Sequence, residues 1–200
     1  MTITALKQQV KNANRVSVFL DGKYSVSLTL DQVLDEKIKK GIDVDEQRLK
    51  QLKKLSDDGK LKQRALEWLM NRPHSEREFR DYMYRKQADK GLTEVLIEEF
   101  IEKKYLDNAT FAKWFAEQRR RKNKSDREIS SELASKGVDR VTIQSIVTDL
   151  ESDETGALKE KINKLKTRTR YQDEKKLITY LIGKGFRYSD IRSALNDEDS

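Results

Sequence analysis

A Lys-Gly pair followed by a helix with one fixed apolar register occurs three times along the second two-thirds of this chain. The pairs are Lys90-Gly91, Lys136-Gly137 and Lys184-Gly185. Six residues beyond the glycine stand Ile97, Ile143 and Ile191; nine beyond, Phe100, Ile146 and Ala194; ten beyond, Ile101, Val147 and Leu195. Repetition at this period restricts the fold to stacked small units, because one such unit cannot bury its apolar face alone. Stacked units make long surfaces, and long surfaces bind long partners.

Each repeat is predicted to hold three helices. In the first, Ala65, Leu66, Trp68 and Leu69 form an apolar helix that stops near Arg72, because Pro73 disfavours helical geometry in the residue before it. Ser75-Glu-Arg-Glu78 has the spacing of a capping box and opens a second helix carrying Phe79, Tyr82 and Met83. Gly91 is read as the stop of that helix, and Thr93 as the start of a third with Leu96, Ile97, Phe100 and Ile101. In the second repeat Phe111, Ala112, Trp114 and Phe115 follow their counterparts by 46 positions, and Ser125-Asp-Arg-Glu128 repeats the capping box before Ile129 and Leu133. Its second helix is predicted to be four residues shorter before the glycine, close to one turn, which preserves the apolar face. The third repeat has Ile162 and Leu165, then Asp173 as cap, Leu177, Leu181, Gly185, Ile191 and Leu195. Its weakly apolar first helix suits a terminal unit, and the tail Asn196–Ser200 is predicted to fray.

The amino-terminal part differs in kind. Arg15–Leu20 and Tyr24–Leu28 both alternate, with Asp21-Gly22 between them, which predicts a β-hairpin. A plain two-residue loop would scatter the apolar residues over both faces. Pairing Leu20 with Tyr24, Val18 with Val26 and Val16 with Leu28 gathers them, so an odd-length loop or a bulge is expected. Asp31 can then cap a helix through Ile38 that ends at Lys40-Gly41. Asp43-Val-Asp-Glu46 opens another with Leu49, Leu52 and Leu55 on one stripe, and Ser56-Asp-Asp-Gly59 punctuates before the repeats.

The expected fold is therefore mainly α: tandem three-helix repeats in an elongated array with a small N-terminal β-hairpin extension. The expected domains are 1–58, then repeats at 59–106, 107–151 and 152–200. One proline, eight glycines and an excess of Lys, Glu, Gln, Leu and Arg agree with helix. The chain has no cysteine, which excludes disulfides and thiolate chemistry. Neither a secretory signal nor an apolar run of about 20 residues occurs, so an intracellular, cytoplasmic protein with no membrane contact is expected.

Catalytic motifs are missing. No Walker-type loop, HExxH, EF-hand loop or nucleophile elbow is present, and Gly183-Lys-Gly185 marks a helix stop. The single histidine, His74, is placed at a loop surface, and the carboxylates interleave with Lys and Arg at helical spacing. The chain is thus read as a non-enzyme that needs no cofactor. Trp68 and Trp114 could stack on bases, but their matching places beside apolar residues favour core packing, while Tyr84 and Arg85 lie off the apolar stripe. What remains is charge. The net charge is +7, and basic residues recur around the turn from first to second helix. They are Arg72 and Arg77 in repeat one, Arg119, Arg120, Arg121, Lys124 and Arg127 in repeat two, and Lys166, Arg168 and Arg170 in repeat three. These are the candidate partner-binding residues, placed to meet phosphate backbones or an acidic protein surface.

Three segments carry a resemblance to the RecX family: Ala65-Leu-Glu-Trp-Leu-Met-Asn-Arg72-Pro-His-Ser75-Glu-Arg-Glu-Phe79, Tyr105-Leu-Asp107-Asn-Ala-Thr-Phe111-Ala112, and Ile129-Ser-Ser-Glu132-Leu133-Ala-Ser-Lys136-Gly137-Val138. The resemblance covers residues 60 to 195 in the same repeat order, and the hairpin extension is similar to that of longer members. Asn108 departs from the pattern, which commonly has a second aspartate there, as does the turn Lys122-Asn123-Lys124, where a glycine is common. The resemblance implies a helical repeat protein that modulates the RecA recombinase negatively by lying in the groove of the RecA–single-stranded DNA filament; a monomer is expected. It would lower ATP hydrolysis, strand exchange and co-protease activity. A sequence-independent or helix-turn-helix-like DNA-binding protein acting without RecA is the alternative.

Overall fold

A computed structural model describes residues 1–197, apart from the side chains of 149–153. The end of the tail predicted to fray lies outside the described residues. Three strands come first, β1 (Ile3–Gln9), β2 (Asn12–Leu20) and β3 (Lys23–Thr29). Nine α-helices follow among the described residues: α1 (Leu30–Asp35), α2 (Glu46–Leu69), α3 (Glu76–Arg85), α4 (Lys90–Glu102), α5 (Asn108–Arg120), α6 (Asp126–Ser135), α7 (Arg140–Lys166), α8 (Glu174–Gly183) and α9 (Tyr188–Asn196). A 3-10 turn at Thr169–Tyr171 joins α7 to α8. No helix among the described residues is long and apolar enough to cross a membrane. Two compact units emerge, Met1–Asn71 with Ala88–Leu96, and Arg72–Gln87 with Ile97–Ser200.

In the first unit the expected hairpin is the second half of a three-stranded antiparallel sheet, ordered β1-β2-β3. β1 went unseen because Ile3, Ala5 and Lys7 alternate too weakly to announce a strand. The expected bulge is present. Val16 pairs with Leu28 and Val18 with Val26, the register then shifts, and Leu20 pairs with Lys23 rather than Tyr24. The loop is the two-residue Asp21-Gly22, both with positive φ (46° and 81°), as a tight primed turn requires. Val18, Leu20, Val26 and Leu28 share one core with Ile3, Ile38, Val44 and Leu52.

Helix α1 starts two residues earlier than expected and is short. Thr29 is its cap, with a reciprocal bond to Gln32, and it ends at Asp35. Asp45 caps α2 by accepting from the Arg48 N–H. The helix then runs through Ser56–Gly59 without a break, so that cluster is not a punctuation. Gly59 meets a different need. A Cβ there would lie 3.0 Å from both the amide nitrogen and oxygen of Gln32, whose Nε2 donates to the Leu55 carbonyl at 2.7 Å. The glycine makes room for that side chain.

The second unit shows how the repeats are built. Phe111, Ala112, Phe115, Ala116, Ile129, Leu133, Val138 and Ile143 form one core from α5, α6 and the start of α7. Leu158, Ile162, Leu165, Leu177, Leu181, Phe186, Ile191, Ala194 and Leu195 form the next from the end of α7, α8 and α9. One uninterrupted 27-residue helix therefore serves both. Phe79 of α3 meets Phe100 of α4 edge-on, 5.7 Å between centroids.

The structural register of repeat one differs from the Lys-Gly alignment. Gly137 and Gly185 follow α6 and α8 with φ of 81° and 92°, and each forms a Schellman motif. Val138 N–H donates to the Leu133 carbonyl and Phe186 N–H to the Leu181 carbonyl, both at 3.2 Å, and both side chains are buried. The equivalent left-handed residue after α3 is Gln87, with φ of 57°. Gly91 lies inside the first turn of α4, its N–H taken by the Asp89 carboxylate at 2.9 Å. The second helices α3, α6 and α8 are all 10 residues long. The four-residue difference expected in the second helix instead lies between the tryptophan and the cap serine: 7 positions from Trp68 to Ser75, and 11 from Trp114 to Ser125. Four residues are nearly one turn, so apolar phase alone cannot detect the slip.

Consecutive repeats are joined at their caps. The Ser75 hydroxyl accepts from the Glu78 N–H at 3.1 Å and donates to the Lys136 carbonyl at 2.8 Å. The Ser125 hydroxyl accepts from the Glu128 N–H at 3.2 Å and donates to the Lys184 carbonyl at 2.5 Å. At the first junction Glu78 also gathers Lys136 (2.7 Å), Arg72 (2.9 Å) and His74 (3.1 Å). His74 is 4% exposed, not at a loop surface, because this carboxylate draws it inward. Burial opposes ionisation of Glu78, but the hydrogen bonds from His74, Arg72 and Lys136 outweigh it and hold the carboxyl below the usual carboxylate range.

Two measurements check this register and junction. Gln87→Gly is expected to stabilise the protein by about 1 kcal/mol by relieving a left-handed non-glycine residue. Gly137→Ala and Gly185→Ala should each destabilise by more than about 1 kcal/mol, while Gly91→Ala should change little. Urea denaturation of the four variants decides it, and equal effects at the three glycines would reject the register. Glu78→Gln should cost about 1–3 kcal/mol at neutral pH, since Arg72 and Lys136 lose a shared charge. A depressed native pKa adds stability above the unfolded carboxylate value, about 4.3, and loses it as pH falls through the lower native value. The stability curves of wild type and Glu78→Gln should therefore converge in acid and separate at neutral pH.

Candidate partner-binding surface

The ten candidate cations divide sharply by environment. Arg72 is half-buried, pairs with Glu78, and sets its guanidinium 5.1 Å from the Trp114 ring centroid. Arg119 is half-buried against Glu132 (2.6 Å) and over the Phe115 ring (4.6 Å). Arg120 is 4% exposed, donates to the Lys124 carbonyl at 2.8 Å and pairs with Asp126. Its guanidinium closes the turn from α5 to α6 and is withdrawn from the surface, contrary to the role read from sequence. Lys124 is half-buried and paired with Glu128 at 2.9 Å. These four hold the structure together. The other six, Arg77, Arg121, Arg127, Lys166, Arg168 and Arg170, are exposed.

Arg77 and Arg127 occupy equivalent places, two residues beyond the cap serines of α3 and α6. The same position of α8, two beyond the cap Asp173, is Lys175, also exposed. Sequence reasoning missed Lys175 because it followed the basic run after α7 rather than the cap register. None of the three forms an ion pair among the described residues. Their acidic neighbours are already engaged. Glu76 binds Asn108 and Arg80, Glu78 the cluster above, Asp126 Arg120, Glu128 Lys124, and Glu174 Arg192.

The stems of the two arginines lie against the neighbouring repeat. A Cβ on Gly137 would fall 3.0 Å from the Arg77 Cβ, and one on Gly185 would fall 2.9 Å from the Arg127 Cβ. Absence of a side chain at the turn is thus what lets each stem pack there. Beside Arg127 a groove is lined by Ser131, Glu132, Ile182, Lys184 and Gly185.

Much of the remaining basic run is internally paired. Lys159 binds Asp197 at 3.0 Å and Lys164 binds Glu160 at 2.7 Å. Lys161 donates to the Asn123 carbonyl at 2.9 Å and lies over the Phe186 ring; burial pushes its ammonium below the usual lysine range, against the pull of Glu128. Trp68 and Trp114 are half-buried, and Trp114 packs on the second-repeat core, while Tyr84 is exposed. The two departures noted in sequence have local causes. Asp107 is the cap of α5, which leaves Asn108 free to accept from the Glu76 N–H and donate to its carboxylate, a reciprocal contact aspartate could not make. Asn123 takes the left-handed conformation, φ 54°, that a glycine would otherwise supply.

Comparison with known proteins agrees with this architecture. Residues 1–45 match the family model described as the regulatory protein RecX N-terminal domain, and residues 107–145 match the RecX second three-helix domain. The regulatory protein RecX of Bacillus licheniformis is 31% identical over 204 residues, covering 98% of this chain and 77% of that protein. That of Bacillus velezensis is 29% identical over 206 residues, with the same coverage of 98% and 77%. A crystal structure of regulatory protein RecX superposes with a TM-score of 0.80 over 98% of each chain at 19% identity. RecX from Lactobacillus salivarius gives 0.62 over 72% of this chain and 99% of that one, at 18% identity. Capped three-helix repeats, an N-terminal sheet and these matches lead to one assignment: this chain belongs to the RecX family of regulatory proteins.

Proposed function

We propose that this protein is a negative regulator of RecA that acts in the cytoplasm by binding along the groove of the RecA–single-stranded DNA filament. The three-helix units at 59–106, 107–151 and 152–200 are the parts that lie along the filament. Occupancy there limits filament growth or promotes disassembly, and so lowers ATP hydrolysis, strand exchange and co-protease activity. The observation that carries this reading, beside the family, is the recurrence of exposed, unpaired cations at equivalent places in successive repeats. A charged polymer presents its charge in the same periodic way. The recurring positions are Arg77, Arg127 and Lys175, and the exposed Arg121, Lys166, Arg168 and Arg170 complete the contact set, with Arg72, Arg119, Arg120 and Lys124 shaping the repeats beneath them.

The alternative, base reading by a helix-turn-helix-like element, needs free polar side chains at the start of a third helix. Thr93 is buried and donates its hydroxyl to the Asp89 carbonyl at 2.9 Å, and the Thr142 hydroxyl donates to the Asp139 carboxylate at 2.6 Å. Both hydroxyls are spent inside their own helix caps, Arg140 alone remains as an exposed long polar side chain at the start of α7, and the RecA-directed reading is preferred on the family and the recurring cations.

Titration of the protein into RecA-dependent ATP hydrolysis on single-stranded DNA tests the proposal. Inhibition is expected; at stoichiometric levels it indicates groove occupancy, and far below RecA it indicates capping of filament ends. Unchanged hydrolysis at every ratio would reject the function.

A further inference from the structure

We infer that Arg77, Arg127 and Lys175, one from each repeat, are the residues that contact the phosphodiester backbone of single-stranded nucleic acid. The inference rests on the filament-binding reading above and narrows it to a set the cap register defines. Folding does not account for these cations. A positive charge in the first turn of a helix opposes the helix dipole and is mildly destabilising, yet each of three equivalent helices keeps one there. Nor do they serve local ion pairs, since the acids on either side are neutralised by Arg72, Lys136, Arg120, Lys124 and Arg192. Backbone N–H groups of these helix starts are not the ligand site either. Glu78 and Glu128 N–H bond the cap serines, Lys176 N–H bonds Asp173, Glu76 N–H bonds Asn108 and Asp126 N–H bonds Glu154.

What remains is three side-chain charges set out by the repeat itself. The stems of Arg77 and Arg127 are held against Gly137 and Gly185, so less freedom is lost when their guanidinium groups engage a ligand. A ligand meeting all three must carry negative charge that recurs along its length. A protein interface would instead need an apolar centre. The groove beside Arg127 has one exposed isoleucine, Ile182, among Ser131, Lys184, Glu128 and Glu132, and the two carboxylates are already paired with Lys124 and Arg119, so the lining is polar rather than apolar.

The test uses the full chain and a fluorescently labelled oligothymidylate, with affinity followed by anisotropy across a salt series. Arg77→Gln, Arg127→Gln and Lys175→Gln should each flatten the log K against log salt slope by about 0.7, and the triple variant by about 2. Thermal midpoints should not fall in any of them. An unchanged slope in the triple variant, or no binding by wild type, overturns the inference. So does a triple variant that binds oligothymidylate like wild type but no longer inhibits RecA, which would assign the cations to an acidic protein face. If the slope falls as expected while wild type leaves RecA hydrolysis untouched, the phosphate contacts stand and the RecA reading alone fails.

Discussion

One hydroxyl group at each repeat junction satisfies two helices at once. A helix start leaves N–H groups without partners and a helix end leaves carbonyls without partners. Ser75 accepts from the start of α3 and donates to the carbonyl that ends α6; Ser125 does the same between α6 and α8. The glycine after each terminating lysine is the necessary complement, because a side chain there would strike the arginine stem. Threonine or aspartate would cap the helix as well as serine in isolation, but aspartate as a carboxylate can only accept. In the third repeat the cap is Asp173, which bonds its own helix and cannot hand the connection on. The capping chemistry therefore differs where the junction differs.

Around these junctions the cores stay separate. Repeat two and repeat three each enclose their own apolar cluster, and α7 contributes a different end to each. Between repeats one and two, polar contacts add to the joint: Lys136 to Glu78, and Arg72 over Trp114. A carboxylate pair at Glu76 and position 108 would repel, and asparagine at 108 turns that repulsion into a two-way hydrogen bond.

Local chemistry was legible in the amino-acid order, and distant chemistry was not. Ser75, Ser125 and Asp173 announced three helix starts, and Gly137 and Gly185 announced two stops, because caps are decided by a few neighbouring residues. Gly91 misled for an intelligible reason: Gln87 does the left-handed work one turn earlier, and a one-turn slip leaves the apolar stripe in phase. Gly59 looked like a break because its purpose, room for Gln32, depends on a residue 27 positions away. Charge told less than it promised. Arg119 to Arg121 form one run in sequence, yet one is buried, one half-buried and one exposed. Burial of His74 likewise depends on Glu78, one of whose other partners, Lys136, belongs to the next repeat.

The long helix α7 has a consequence for how such chains can vary. Two hydrophobic cores mounted on one rod are related like threads on a screw. Each residue inserted between them would turn the third repeat by about 100° and advance it by about 1.5 Å. Insertions of three or four residues nearly restore the original heading, whereas one or two throw it to the far side. Variation in length along that rod is thus a dial for pitch, and only steps close to a full winding keep the third repeat near its present heading.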